Sequence, residues 1–283
     1  MTSALNTPPH LDWLVSTGKK LKTACGADVD VLELQHANDA GILSAWAKHF
    51  RNQYCADGMI DTLRGTKTRK EYLEEIKFPT KTGAPGPSIR AGDFAEILLA
   101  DYLEWRLNFW VPRVRWDGKV IRNESAKGCD IIGFHFAKNG KVSPNDVLAI
   151  IESKASLSGV NKDLLQTAVR DSAKDDVRKA ESLNYIKQRF LWDNKTNEAK
   201  NVERFQSPVD QPYKEFCAAA AVFATPSYDE TSIQSTNATS IKVGKKKNLI
   251  KHPHHGKLKM IVVKGNDLMT LVNDLYQRAA DEA

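Results

Sequence analysis

The sequence predicts a mixed α/β protein, and three observations carry that prediction. The run Val147-Leu148-Ala149-Ile150-Ile151 is apolar, rich in branched side chains, and reads as a strand buried on both faces. Upstream, Cys129-Asp130-Ile131-Ile132-Gly133-Phe134 is a second short apolar strand, and the Asn139-Gly140 turn signal between the two predicts a hairpin. From residue 88 onward the elements follow the order helix, strand, strand, strand, helix, strand, which suits a mixed sheet covered by helices.

The chain opens with residues 1–87, read as an N-terminal α/β subdomain with a structural role or a docking or regulatory one. Val29 to Leu34 has strand character, and Asn38 or Asp39 is placed to cap a helix running through Trp46, Phe50 and Tyr54. Arg69 to Ile76 reads as a short charged helix. Pro79, Gly83, Pro85, Gly86 and Pro87 mark a loop, so the boundary of a second unit, residues 88–283, is expected there.

Ile89 to Leu107 reads as a helix whose Asp93, Asp101 and Glu104 are spaced for solvent. Glu96 falls on another face, with Leu99, Ala100 and Leu103 at i+3, i+4 and i+7. A carboxylate on an apolar stripe is either a first-turn residue or a group drawn inward by a partner. Phe109 to Trp116 alternates as a strand does. Asn161 to about Phe190 reads as one long helix with Leu165, Ala168, Val169, Ala173, Val177 and Ala180 toward the core. Gln166, Arg170 and Lys174 recur every fourth residue along it, a face that suits a phosphate backbone and equally a solvated helix.

Trp192 to Pro212 is polar and expected to be irregular, and Phe216 to Thr225 is alanine-rich enough to be strand or helix. Lys257 to Val263 is a strand, and Asn266 to Ala280 a closing amphipathic helix. Between them lies a basic loop, residues 242–259, with Lys242, Lys245, Lys246, Lys247 and Lys251. It is read as a nucleic-acid contact or a solubilising loop. The histidines around Pro253 are not read as a zinc site, because no cysteine or acid stands near them in the sequence.

The chemistry concentrates at Glu152-Ser153-Lys154. Strand side chains alternate, so Glu152 and Lys154 share one side of the sheet. A hairpin would set Asp130 beside them, and two carboxylates with a lysine can hold a divalent metal and activate water for phosphodiester hydrolysis. An acid-x-Lys triplet alone is weak evidence, since Glu75-Ile76-Lys77, Asp117-Gly118-Lys119 and Glu198-Ala199-Lys200 also occur. Only Glu152 follows a buried strand and has an acidic strand at hairpin distance upstream.

This arrangement, over roughly residues 88 to 225, resembles the PD-(D/E)xK nuclease superfamily of the restriction endonucleases. The resemblance implies a restriction-endonuclease-like αβββαβ core. Asp130 matches the first acid, here after Gly128-Cys129 instead of proline, Glu152 and Lys154 match the second acid and lysine, and Glu96 the helix glutamate. Gln166 stands on the following helix where many members place a glutamine. More narrowly, Gly92-Asp93-Phe94-Ala95-Glu96, Gly128 to Gly133 and Ile151 to Ala155 resemble the nuclease subunits of Hachiman and Abp-type bacterial anti-phage systems. That implies a superfamily-2 helicase partner. On this reading Asp130, Glu152, Glu96 and the Ser153 carbonyl ligate Mg²⁺ or Mn²⁺, Lys154 holds or helps deprotonate a water, Gln166 orients Lys154 or the backbone, and Arg170 and Lys174 hold phosphates.

The bounds agree with such a role. The 283-residue chain has a net charge of +6, suited to a polyanionic partner such as DNA. Its four scattered cysteines predict free thiols, and neither a membrane-length apolar run nor a signal-peptide core is present, so a cytoplasmic bacterial protein is expected. With no helix-turn-helix or zinc module, low sequence preference is expected. Two other readings keep the same fold, a stand-alone site-specific type II restriction enzyme and a non-catalytic DNA-binding subunit.

Overall fold

The computed structural model describes residues 7–138, 141–159, 163–243 and 248–283. The apolar run at 147–151 forms the first half of β4 (Val147–Ser156), whose branched side chains are almost fully covered, as the pleated surface of an inner strand favours. It pairs antiparallel with β3 (Ile131–His135) and parallel with β5 (Lys214–Ala224), which in turn runs parallel to β8 (Lys259–Gly265). Beyond β8 come β2 (Asp28–Leu34), parallel to it, and β1 (Leu14–Lys22), antiparallel to β2. The six-stranded order is therefore β1-β2-β8-β5-β4-β3, a mixed sheet. A separate two-stranded ribbon joins β6 (Ile241–Val243) and β7 (Asn248–Ile250).

Helices cover both faces. On one side α1 (Ala40–Tyr54), α4 (Gly86–Asp101) and α9 (Leu268–Asp281) bury Trp46, Phe50, Phe94, Leu98 and Leu275 against Ala149, Ile151, Ala220 and Val222. Two short helices, α2 (Asp57–Leu63) and α3 (Arg69–Tyr72), flank this layer. On the other side α5 (Leu164–Ser172) sets Leu165, Ala168 and Val169 over β5, and α6 (Asp175–Trp192) and α7 (Thr196–Glu203) close over Ile132, Phe134, Leu148 and Ile150. A last helix, α8 (Glu230–Ser235), follows β5. The alanine-rich segment is thus a strand: with helices on both faces, small side chains let both layers approach closely.

Several expectations are corrected by packing. Residues 109–116 give no strand, only a bridge from Trp110 to Phe134; Pro112 has no N–H to continue a ladder. The long helix is two, broken at Ala173 and Lys174, and the break turns Leu183, Ile186 and Phe190 inward while Val177 is left exposed. The segment expected to be irregular contains α7. β1 and β2, read as part of a separate subdomain, extend the same sheet, and residues on both sides of the 79–88 loop share one core. The β1 strand is interrupted between Ser16 and Lys20, where Gly18 takes a positive φ of 68°.

Asp93 and Asp101 are buried, not solvated. Asp93 takes Lys119 Nζ at 2.5 Å and the Tyr54 hydroxyl at 2.6 Å. Asp101 is paired with His10 at 3.0 Å, His49 at 3.0 Å and Arg113 at 2.7 Å, ties that fasten the chain's start and the 109–116 segment to the end of α4. Although burial opposes its charge, the nearby His49 and Arg113 hold its carboxyl far below the usual carboxylate range. Such a group stabilises the fold at pH values above its unfolded pKa of about 4 and loses that contribution as pH falls further. Asp101→Asn is expected to cost about 3–5 kcal/mol at neutral pH, because His10 and His49 lose their common acceptor and Arg113 keeps only Glu104. Urea denaturation of both proteins at pH 7 and in acid checks this, with the gap narrowing in acid.

Candidate metal centre

The hairpin register pairs Ile131 with Ile151, so Asp130, one position earlier, stands opposite Glu152. The chain reaches Asp130 through Gly128, whose φ is +95° and whose Cα approaches α6 so closely that a Cβ would meet Ser182 Oγ at 2.6 Å. Asp130 is gripped on both oxygens: Oδ2 accepts the Ser153 backbone N–H at 3.0 Å and Oδ1 accepts Arg115 Nη2 at 2.8 Å. Glu152 and Lys154 point to the same side of β4, as alternation predicts, and are joined by a hydrogen bond from Nζ to Oε1. Asp171 of α5 stands 3.4 Å from the same ammonium.

Glu152 is 2% exposed, and its Oε2 has no hydrogen-bond partner among the described residues. The same holds for Asp175 Oδ1, in the first turn of α6. Both oxygens lie 3.8 Å from Arg178 Nη1, too far for a hydrogen bond. Burial, with Asp130 next, pushes Glu152 up, and burial with Glu152 and Asp130 pushes Asp175 up to about 8. An unsatisfied buried acceptor costs about 1–3 kcal/mol, and more when charged. These carboxylates offer hard oxygen donors of the kind that suits a divalent cation such as Mg²⁺ or Mn²⁺, although the oxygens of Asp130, Glu152 and Asp175 do not all lie within 4.8 Å of one another. The centre opens into a cleft of about 540 Å³ rimmed by Lys127, Lys154, Lys174 and Arg178.

The other expected site residues fall differently. Glu96 is buried as predicted, but it is engaged by Arg115, whose Nε donates to Oε2 at 2.8 Å. Burial pushes Glu96 up to about 8 against the pull of that guanidinium. Arg115 also donates to the carbonyls of Ala126, Lys127 and Cys129, so one side chain fastens α4, the 126–129 loop and Asp130 together. Gln166 does not reach Lys154; it is bound in both directions to the backbone of Asn237. Arg170 and Lys174 both contact Asp171, and of the two Lys174 lines the cleft. Lys245, Lys246 and Lys247 lie outside the described residues.

Sequence reasoning missed Arg115, Asp171, Asp175 and Arg178. Arg115 was hidden in a segment read as a strand. Asp175 was passed over because an unbroken helix would have presented Val177 inward; the only signal was the acidic, polar run Asp171-Ser172-Ala173-Lys174-Asp175-Asp176.

Sheet and site together define the class: a mixed α/β protein of nuclease-like fold, with an acid and lysine cluster on an inner strand. No curated protein matches the chain. The family model HamA matches residues 8–279, and the chain belongs to that family, the HamA proteins of the Hachiman anti-phage system. It is therefore a phage-defence protein.

The Arg115 contacts make a separable prediction. Arg115→Met is expected to destabilise the protein by about 3–5 kcal/mol, since Glu96 and Asp130 lose their common counter-charge. A urea midpoint within error of wild type would show that the guanidinium does not hold the two carboxylates.

Proposed function

We propose that the chain is a metal-dependent nuclease that cuts DNA with low sequence preference as the effector of its defence system, under the control of a helicase partner. The observation that carries this reading is that Asp130, Glu152 and Lys154 line one cleft with a basic rim, while the buried, unsatisfied Asp175 oxygen shares Arg178 with Glu152. Asp130, Glu152 and Asp175, with the Ser153 carbonyl, would hold Mg²⁺ or Mn²⁺. When bound, the metal supplies Lewis acidity toward a phosphoryl oxygen and lowers the pKa of a bound water.

The protein's own residues do the rest. Arg115 and the Ser153 N–H fix the Asp130 carboxylate by both oxygens, so it is pre-oriented. Glu152 and Asp171 hold Lys154 Nζ over the cleft. Burial works against the Lys154 charge, but Glu152, Asp130 and Asp171 outweigh it and push its pKa up. Lys154 is therefore a fixed cation and hydrogen-bond donor, suited to offset charge building on the phosphate in the transition state, and not a base that takes the proton of the water. Lys127, Lys174 and Arg178 give the cleft the charge that attracts a phosphate backbone.

The test is cleavage of supercoiled and linear plasmid with Mg²⁺, Mn²⁺ or EDTA, alone and with the cognate helicase and ATP. Cleavage requiring the metal is expected, and Lys154→Ala is expected to lower it about 100- to 1,000-fold. Glu152→Gln and Asp175→Asn should weaken Mg²⁺ dependence as well as rate, whereas Glu96→Gln should act chiefly on stability. A folded Glu152→Gln, Lys154→Ala double variant that still cuts would refute the site. Lys174→Glu is expected to weaken DNA binding at low salt and to flatten its dependence on salt concentration, read by fluorescence anisotropy.

A further inference from the structure

We propose a second metal site, for Zn²⁺, in which Glu215, Cys217 and His254 are the protein ligands and Asp176 supports the histidine. Glu215 and Cys217 are two apart on β5 and so project from the same face, and His254 comes from the turn after β7. The donor atoms of these three residues all lie within 4.8 Å of one another, which makes them the one group of three or more such residues among those described. A thiol, an imidazole and a carboxylate form a borderline-soft donor set, and that mixture selects zinc over magnesium. It is chemically distinct from the all-oxygen cluster around Glu152.

The surroundings favour a built site. His254 lies between two acids, with its Nε2 at 2.9 Å from Asp176 Oδ1 and 3.9 Å from Glu215 Oε2. Because Asp176 takes Nε2, the orienting hydrogen bond usual in zinc sites assigns the ligating role to Nδ1 of His254. Lys179 holds Glu215 by Oε1 and leaves Oε2 facing the histidine. The turn that presents His254 is itself fastened: His252 is 1% exposed, meets Ser172 Oγ at 3.1 Å, and accepts the His254 backbone N–H on Nδ1 at 3.0 Å. Burial, with Glu215 and Asp176 adding, pushes the Cys217 thiol up to about 12, so in the chain alone it is a protonated thiol. Binding releases that proton to solvent as the sulfur–zinc bond forms.

The position gives such a site a purpose. Register sets Cys217 beside Ile150 on β4, one step along the same face from Glu152. Asp176 follows Asp175 at the start of α6. A zinc ion here would fasten β5, the first turn of α6 and the base of the β6–β7 ribbon, and so hold the region that carries Asp175, Lys242 and Lys251.

The experiment uses the full chain. It is dialysed against metal-free buffer, loaded with Zn²⁺ or Co²⁺, and tested for metal content, melting temperature and near-ultraviolet absorption. Retention of about one zinc per chain, a higher melting temperature, and a sulfur-to-cobalt charge-transfer band are expected. The band should vanish in Cys217→Ser, zinc retention should fail in His254→Gln, and Asp176→Asn should weaken zinc about 10- to 100-fold. Circular dichroism confirms that each variant is folded. Wild type that keeps no zinc, or a Cys217→Ser protein that binds zinc as wild type does, would overturn the proposal. Because the readouts are metal content and spectrum, it stands or falls independently of DNA cleavage.

Discussion

Everything in this site depends on one register. Side chains alternate along a strand, so a one-residue slip of β3 against β4 would turn Asp130 or Glu152 to the other face and separate them. The register is held from several directions at once. The Ser153 N–H reaches the Asp130 carboxylate, Arg115 binds that carboxylate and the carbonyls before it, and Trp110 bridges to Phe134 farther along. Apolar rows enforce the same pairing, with Ile132, Phe134, Leu148 and Ile150 on one face and Ile131, Ala149 and Ile151 on the other. Because one alignment satisfies both rows and the polar ties, the carboxylates are brought together by the core against their mutual repulsion.

That repulsion explains why charges of both signs crowd this end of the sheet. Two carboxylate oxygens there have no donor among the described residues, while Arg115 and Lys154 are each bound to acids. A buried array of this kind is costly to fold and is better explained by chemistry than by stability. The family places the chain in anti-phage defence.

The fold class, the hairpin and the pairing of Glu152 with Lys154 were legible in the sequence, because they rest on alternation and on buried branched runs whose signal is local. Asp39 as a cap and the helix through Trp46, Phe50 and Tyr54 were legible for the same reason. What was not legible came from partners distant in the chain. Asp101 looks solvent-facing until His10, His49 and Arg113 are folded around it. Gln166 sits at the expected position on its helix, yet its amide is taken by the Asn237 backbone. The break after Ser172 leaves only a polar run in the sequence, and it decides which faces of α6 turn inward. Histidines with no acid or thiol beside them in sequence acquire both once β5 is laid under the turn.

The interruption in β1 bears on how the molecule meets its neighbours. An outermost strand with a straight, unpaired edge invites another chain to add on. Here that strand is kinked at Gly18, with Lys19 and Lys20 exposed on it, while the opposite margin is the short β3, part of which is already taken by Trp110. Both ends of the sheet are thus poor templates for backbone pairing, which guards the protein against edge-to-edge association. Recognition is left to side chains on the helical layers and the cleft.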